Sequence, residues 1–453
     1  MKFKKFFEWV RILLFSAVLI GGCVLGFILS LRPTTSESEG RTLTKFPQFN
    51  AESFLSGEYT SQISLWYADT FPFRDLLLDL SGELKGLYGV GDQEFEGYHG
   101  EADTLDMNQD FVWDKEPSDP PPSMENPVPP SEEETTSADT ETGTSGEEPP
   151  TAETIDGYYV KGDTCWELYY YKADLVDRYC RVVVQAALDL DGIATVYDMV
   201  VPTSYCYALS NAELQKLGAS DGLQTIEFIY TAVDAYCPQA GVTNPVVTMP
   251  VHELLAQHKD EYIYYRTDHH WTAKGAWYAS RYFLDAVNRP YPALEEYEVF
   301  TYDTFLGSLY RHTQSESLKK HPDYVDAYLS PNVKEVTIFR DDIYQPRPLI
   351  DLEVTSSNKY TCFSSGDHQY YETYNPTIGD GSSLLIIKES YGNAFLPMMA
   401  DSYEHVYAID YRFWGGDLVS FVQEKGIDTV LFLNNLMATA DDYTVRCLER
   451  LVN

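Results

Sequence analysis

Positive charge is scarce in this sequence: 32 Lys and Arg stand against 70 Asp and Glu, a formal net charge of -38 over 453 residues. So negative a chain repels phosphate backbones, which argues against a nucleic-acid partner. Cysteine is scarce as well. Seven in this length, with no C-x-x-C pair and no zinc-ligand spacing, exclude a disulfide-dense miniature scaffold. Beyond Cys23, the spacing of Cys165, Cys180, Cys206, Cys237, Cys362 and Cys447 fits separate buried thiols as well as three bridges. Internal repeats are lacking, which excludes a solenoid. Aromatic material, by contrast, is plentiful: 36 Tyr and 22 Phe are ample for a core and exclude disorder throughout. The length suits two domains, or one large domain with appendages.

One apolar run is long. Residues 12–31 carry no charge, and Lys2, Lys4, Lys5 and Arg11 precede them. About twenty such residues cross a bilayer core of roughly 30 Å as a helix. Basic residues stay on the cytoplasmic side. The expectation is therefore a basic cytoplasmic tail over residues 1–11, a transmembrane signal anchor over residues 12–31, and the bulk of the chain outside a cell membrane that is crossed once. Two other readings compete. Ile20-Gly21-Gly22-Cys23 loosely matches a bacterial lipoprotein box, and the basic start also fits a cleaved signal peptide. The run stays apolar past Cys23 and is long for a signal-peptide core, which favours the anchor.

Residues 32–100 read as a helical N-terminal part, with Phe54, Leu55, Ile63, Trp66 and Tyr67 as apolar anchors and an amphipathic segment over residues 76–87. Over residues 101–156 the composition turns to Pro, Ser, Thr and Glu, and such a segment reads as a disordered, acidic, self-repelling linker. From residue 157 to 453 helices and strands alternate. Strands are expected at 194–201, 245–248, 384–387, 406–409 and 429–433, and helices at 175–188, 225–235, 252–258, 273–287 and 418–425. This alternation implies an α/β domain, a parallel sheet with helices on both faces. Residues 290–380, rich in Tyr, Gly and Pro and without helical period, read as an insertion of short strands and loops.

Two stretches can carry chemistry. In Arg266-Thr267-Asp268-His269-His270-Trp271-Thr272, Asp268 and His270 stand two apart and project to one side of an extended segment. A carboxylate so placed holds an imidazole in one tautomer and stabilises its protonated form, as a general base requires. In Lys388-Glu389-Ser390-Tyr391-Gly392-Asn393, the serine sits between a buried strand and a helix whose free N–H groups favour a developing oxyanion. Gly392 permits close backbone approach. This turn is not the G-x-S-x-G elbow of α/β-hydrolases. Each stretch alone has a plainer reading, a helix cap or a surface hydrogen-bonded pair. Together they supply a nucleophile, a base and an orienting acid.

The run RTDHHWTAKGAWYA resembles the signature of the DHHW protein family, which is similar to the alginate O-acetylation proteins and their SGNH-hydrolase-like fold. FPFRD at residues 71–75, VPTSYCY at 201–207, FLGSL at 305–309, KESYGN at 388–393 and AIDYRFW at 408–414 support the same resemblance, which runs from about Arg41 to the end of the chain around the acidic segment. It implies that His270, directly before Trp271, is the catalytic histidine rather than His269, that Asp268 orients it, and that Ser390 is the nucleophile. Acid and base precede the serine, so the implied sheet is a permuted SGNH-hydrolase-like one. Where the family usually has Asp before the serine this chain has Glu389, which keeps the charge.

The implied activity is that of an extracytoplasmic, membrane-anchored serine O-acetyltransferase or acetylesterase acting on a cell-surface polysaccharide. It would take acetyl from an acetylated donor, without cofactor or metal, beside a membrane-bound O-acyltransferase. Backbone N–H groups near Ser390, with Gly392 and Asn393, would hold the oxyanion. Arg412 would touch substrate at the site edge or else pair with Asp410 or Glu404. Trp271, Trp277, Tyr262, Tyr264 and Tyr265 suit stacking on sugar rings and equally suit a core. Two other classes compete: a non-catalytic polysaccharide-binding or assembly protein on the same fold, and a manganese-dependent phosphoesterase ligated by Asp268, His269 and His270.

Overall fold

The computed structural model describes residues 102–113, 152–155 and 157–452 apart from 341 and 342, with scattered positions between 32 and 72. The expected anchor at 12–31, the amphipathic segment at 76–87 and the middle of the acidic linker at 114–151 lie outside the described residues. Among the described residues no helix is long and apolar enough to cross a membrane. The chain divides into two compact units, residues 1–93 with 356–358, and residues 94–355 with 359–453. In the first, the Arg32 guanidinium lies 3.8 Å over the Trp66 ring and donates to Thr70 Oγ1 at 2.5 Å, and Phe46 meets the same indole edge-on.

The second unit opens with a three-stranded antiparallel sheet, β1 (Ala152–Ile155), β2 (Tyr158–Lys161) and β3 (Thr164–Glu167). Helix α1 (Ala173–Asp189), β4 (Thr195–Val201), α2 (Gly222–Ala240), β5 (Val247–Thr248), α3 (Val251–Gln257) and α4 (Ala273–Ala286) follow. Strands β6 (Glu298–Phe305) and β7 (Asp323–Leu329) pair with each other around the short helix α5 (Ser308–Thr313). Next come β8 (Glu335–Arg340), β9 (Ile343–Pro348) and β10 (Tyr370–Tyr374). The chain closes with β11 (Ser383–Lys388), α6 (Gly392–Met399), β12 (His405–Asp410), α7 (Leu418–Lys425), β13 (Thr429–Asn435) and α8 (Asp442–Glu449).

Eight of these strands form one sheet in the order β9-β8-β10-β12-β11-β13-β4-β5. The five from β12 to β5 run parallel, and β10, β8 and β9 extend them antiparallel. The expectation of a parallel sheet is thus corrected to a mixed, mostly parallel one. Three strands of the stretch expected as a separate insertion join it, because the edge of β12 would otherwise be left unpaired; β10 covers that edge from Tyr370↔Ile409 to Tyr374↔His405.

The central strands are apolar on both faces, as buried parallel strands must be. Leu385 and Ile387 face the core formed with α1, α2, α7 and α8, while Leu384 and Ile386 face the one formed with α3, α4 and α6. The period of two thus fills both layers from one strand. Part of the segment expected as linker packs on the second unit. Residues 102–113 lie along α1 and α2: Phe111 packs 5.3 Å from Phe228, Trp113 packs 5.8 Å from Tyr236, and Asp103 accepts the first N–H of α1 at 2.8 Å. Leu105, Phe111 and Trp113 supply apolar surface that a composition averaged over the whole segment conceals. The six described cysteines are free thiols.

Strand β4 carries a carboxyl into this core. Asp198 is wholly buried, the Tyr179 hydroxyl donates to its Oδ1 at 2.6 Å, and neither its Oδ2 nor Asn434 Oδ1 has a partner among the described residues. Burial pushes this acid up to about 7, against the lowering effect of the Tyr179 bond. An acid raised on folding stabilises the fold while it is protonated. That contribution is whole below about pH 4 and is lost as the pH climbs through about 7. Ionising it in place costs on the order of 4 kcal/mol. Asp198→Asn is therefore expected to come close to the parent at pH 4, to gain on it as the pH rises, and to melt several degrees higher at pH 8. Thermal unfolding by circular dichroism at both pH values tests this, and a difference in melting temperature that is the same at both would count against it.

Candidate active site

The histidine segment is placed by the helix after it. The Thr272 hydroxyl oxygen accepts the Gly275 N–H and caps α4, and the hydroxyl itself donates to the Tyr262 carbonyl at 2.8 Å. That fixes Trp271, which is wholly buried and donates its indole N–H to the Tyr391 carbonyl at 3.0 Å. Trp271 thus ties the histidine segment directly to the serine turn. The Tyr391 hydroxyl donates back to the His269 carbonyl. Ser390 itself follows β11, which lies between β12 and β13, so it stands at the carboxyl end of the parallel strands, where open α/β sheets build sites.

There Ser390 Oγ lies 2.8 Å from His270 Nε2, and His270 Nδ1 lies 2.6 Å from Asp268 Oδ1. Asp268 Oδ1 also accepts the His270 backbone N–H at 3.0 Å, and its Oδ2 accepts the Ser308 N–H at 2.8 Å. Burial alone raises this acid, but neighbouring His270 and their hydrogen bond outweigh burial and hold Asp268 well below the ordinary carboxylate range. An ionised Asp268 only accepts, so His270 turns an Nδ1–H to it, and in the neutral ring Nε2 is left to accept the Ser390 hydroxyl. His269 is a different case. Desolvation, together with neighbouring His270, pushes it down to about 3, so it is neutral; its Nδ1 faces Ser308 Oγ at 2.5 Å rather than the serine turn.

Further residues complete the site that the sequence did not mark. Tyr360 stacks on the His270 ring, 3.8 Å between centroids at 11°, and its hydroxyl donates to the Ser390 carbonyl at 3.1 Å. Gly307 and Ser308 pack against Asp268. A Cβ on Gly307 would lie 2.1 Å from the Asp268 Cβ, an atom too close to the backbone to swing aside. Gly307→Ala is therefore expected to cost about 1–3 kcal/mol in urea unfolding and to displace Asp268. Unchanged stability would show that the loop yields. FLGSL was visible as a motif without a role; Tyr360 sits in a stretch with no period and gave no signal. Glu167 on β3 was also unmarked. Desolvation and the charge of Asp441 push it up to about 7, opposed by neighbouring His270.

Beneath the turn, the buried Lys388 donates to Asn393 Oδ1 at 2.6 Å, and Asn393 Nδ2 donates to Asp367 Oδ1 at 2.7 Å. Burial pushes Lys388 down, and the carboxylates Asp410 and Asp367 oppose it. A Cβ on Gly392 would lie 2.2 Å from Lys388 Cδ, so this glycine makes room for the lysine stem. Asn393 is thereby engaged below the turn. Arg412 pairs with Asp410 at 2.6 Å and Asp367 at 3.1 Å, and not with Glu404, whose carboxylate accepts the Gly381 N–H.

The free helix N–H groups expected after Ser390 are not free. Tyr391 donates to Glu389 Oε2 at 2.9 Å, Gly392 to the Glu389 carbonyl at 3.0 Å and Asn393 to the Ser390 carbonyl at 3.0 Å. The reason is local: the tight turn and the Glu389 side chain fold back onto them. The N–H of Ser390 itself has no acceptor among the described residues. Trp271 and Tyr265 are buried in the core and do not offer faces to a sugar. Asp268, His269 and His270 each offer an atom within 4.8 Å of the others, as do Glu227, His252 and Glu253. An ion at the first set would have to replace the bond between Asp268 and His270, and the second set already closes on itself through His252 Nε2 and Glu227 Oε1 at 2.7 Å.

The model of the family described as DHHW protein matches residues 39–409. No curated protein matches the chain. Among solved structures, a DHHW family protein from Eubacterium siraeum is similar at 25% identity with a TM-score of 0.56, over 66% of this chain and 97% of that one. Bacillus cereus PatB1 is similar at 14% identity with a TM-score of 0.51, over 65% and 99%. The O-acetyltransferase domain of Pseudomonas putida AlgJ is similar at 16% identity with a TM-score of 0.35, over 65% and 96%.

Proposed function

This chain belongs to the DHHW family, and on that premise we propose that it is a serine O-acetyltransferase or acetylesterase acting on a cell-surface polysaccharide through Ser390, His270 and Asp268. The observation that carries the proposal is the relay of 2.8 Å and 2.6 Å joining side chains 120 residues apart. A hydroxyl on a neutral imidazole, backed by a buried carboxylate, is an activated nucleophile. In this reading Ser390 Oγ bonds to the carbonyl carbon of an acetyl ester while its proton passes to His270 Nε2. The ester C–O bond breaks, and the leaving alcohol takes that proton. A sugar hydroxyl, or water, then gives its proton to His270 and attacks the acetyl-serine, which returns Ser390 to its starting state. Asp268 stabilises the imidazolium that forms twice in the cycle.

The proposal extends to a permuted SGNH-hydrolase-like sheet, since acid and base precede the serine. It also extends to a single membrane anchor over residues 12–31, supported by their apolar run and basic flank, with a membrane-bound O-acyltransferase supplying acetyl groups. The manganese reading is less favoured, because Asp268 and His270 are turned to each other. PatB1 has been solved with a sulfonyl adduct, and a sulfonyl fluoride is a direct reagent for the test. Incubated with the full-length chain it should add one sulfonyl group at Ser390, found by peptide mass mapping, and block hydrolysis of an acetyl-ester reporter. A chain that neither labels nor hydrolyses defeats the proposal.

A further inference from the structure

Glu389 has no part in the proposed acyl transfer, and the role assigned to it here rests on that proposal. It is 5% exposed, and a carboxylate so buried needs donors. The lysine beside it does not serve: Lys388 turns its ammonium toward the Glu389 carbonyl at 3.4 Å. The donors are backbone groups. Oε1 accepts the Asn435 N–H, at the end of β13, at 3.0 Å; Oε2 accepts the Tyr391 N–H at 2.9 Å and faces Ser390 Oγ at 3.2 Å. The side chain is thus clamped between the end of one strand and the turn after its neighbour, by groups that have no rotamers to lose.

The Ser390 hydroxyl has one hydrogen and two acceptors in reach, His270 Nε2 at 2.8 Å and Glu389 Oε2 at 3.2 Å. The shorter bond takes the hydrogen, and the second acceptor narrows the rotation that brings Oγ to it. We propose that Glu389 is a positioning residue for Ser390: held by the Asn435 and Tyr391 N–H groups, its carboxylate aims Oγ at His270 and keeps the Tyr391 N–H engaged, leaving the Ser390 N–H as the open backbone donor beside the nucleophile. An amide in its place accepts from only one of the two N–H groups through its oxygen and turns donor hydrogens on the other group or on Oγ. Aspartate keeps both acceptors on a shorter stem.

The test compares the full-length parent, E389Q and E389D. Expected for E389Q is a fall in kcat for an acetyl-ester reporter on the order of tenfold to hundredfold, with KM nearly unchanged, and an equally slowed sulfonylation of Ser390. E389D should recover most of both. Crystal structures should show Oγ drawn beyond about 3.5 Å from His270 Nε2 in E389Q and back within reach in E389D. An active parent with E389Q at the parental kcat overturns the positioning role, as does Oγ still bonded to His270 in the E389Q crystal. A parent that neither hydrolyses nor labels overturns the proposed function instead, and the E389Q crystal then decides on Glu389 alone. If E389Q does not fold, E389D carries the test: Oγ within reach of His270 with labelling near the parental rate supports the role, and Oγ displaced, or labelling lost, overturns it.

Discussion

Alanine at Ser390 is expected to lower acetyl-ester hydrolysis by about four orders of magnitude or more, and alanine at His270 by nearly as much. The double variant should be no slower than Ser390→Ala alone, because the two side chains act in one proton transfer and neither contributes without the other. This non-additivity distinguishes a relay from two residues that merely line a cleft, whose effects would multiply. Folding should survive. Among the described residues the Ser390 hydroxyl reaches only His270 and Glu389, so its removal costs about 1 kcal/mol. Initial rates and circular dichroism on the parent, both single variants and the double variant make the measurement. A Ser390→Ala protein that keeps a tenth of the parental rate removes the nucleophile from the proposal.

Asp268→Asn is expected to cost about three to four orders of magnitude in kcat with little change in overall structure. The carboxylate accepts three hydrogen bonds at once: His270 Nδ1–H and the His270 N–H at Oδ1, and the Ser308 N–H at Oδ2. An amide has one accepting oxygen. If that oxygen keeps the Ser308 N–H, the NH2 group faces His270 Nδ1 and drives the ring hydrogen to Nε2, where it points at Ser390 Oγ and no base remains. If the oxygen turns to His270, the Ser308 N–H is left buried without an acceptor, at a cost of about 1–3 kcal/mol. Either way the charge that stabilises the imidazolium is gone. The ester reporter reads the rate, and proton NMR of the ring N–H reads the tautomer. A variant within threefold of the parent, or one with its hydrogen still on Nδ1 and full activity, refutes the orienting role.

Legibility in the sequence followed locality. The continuous apolar runs of β4, β11, β12 and β13 marked the parallel strands, since a strand that fills two layers needs apolar side chains at successive positions. Thr272 announced the start of α4 because a cap needs only the residues beside it. Asp268 and His270 announced each other for the same reason, two positions apart on one extended segment. The expected free N–H groups after Ser390 failed on a detail equally close by, the return of the Glu389 side chain onto Tyr391.

The amino-acid order alone determined the α/β class and the candidate acid, base and serine as separate local signals. Only the tertiary structure decided that Ser390 Oγ meets His270 Nε2, that Gly307, Ser308 and Tyr360 close around the pair, and that β10, β8 and β9 extend the sheet antiparallel. The physical reason is range. Capping, periodicity and i, i+2 geometry are written in neighbouring residues. Contacts such as the Trp271 indole on the Tyr391 carbonyl, across 120 residues, depend on how whole layers pack, and no local pattern encodes that packing.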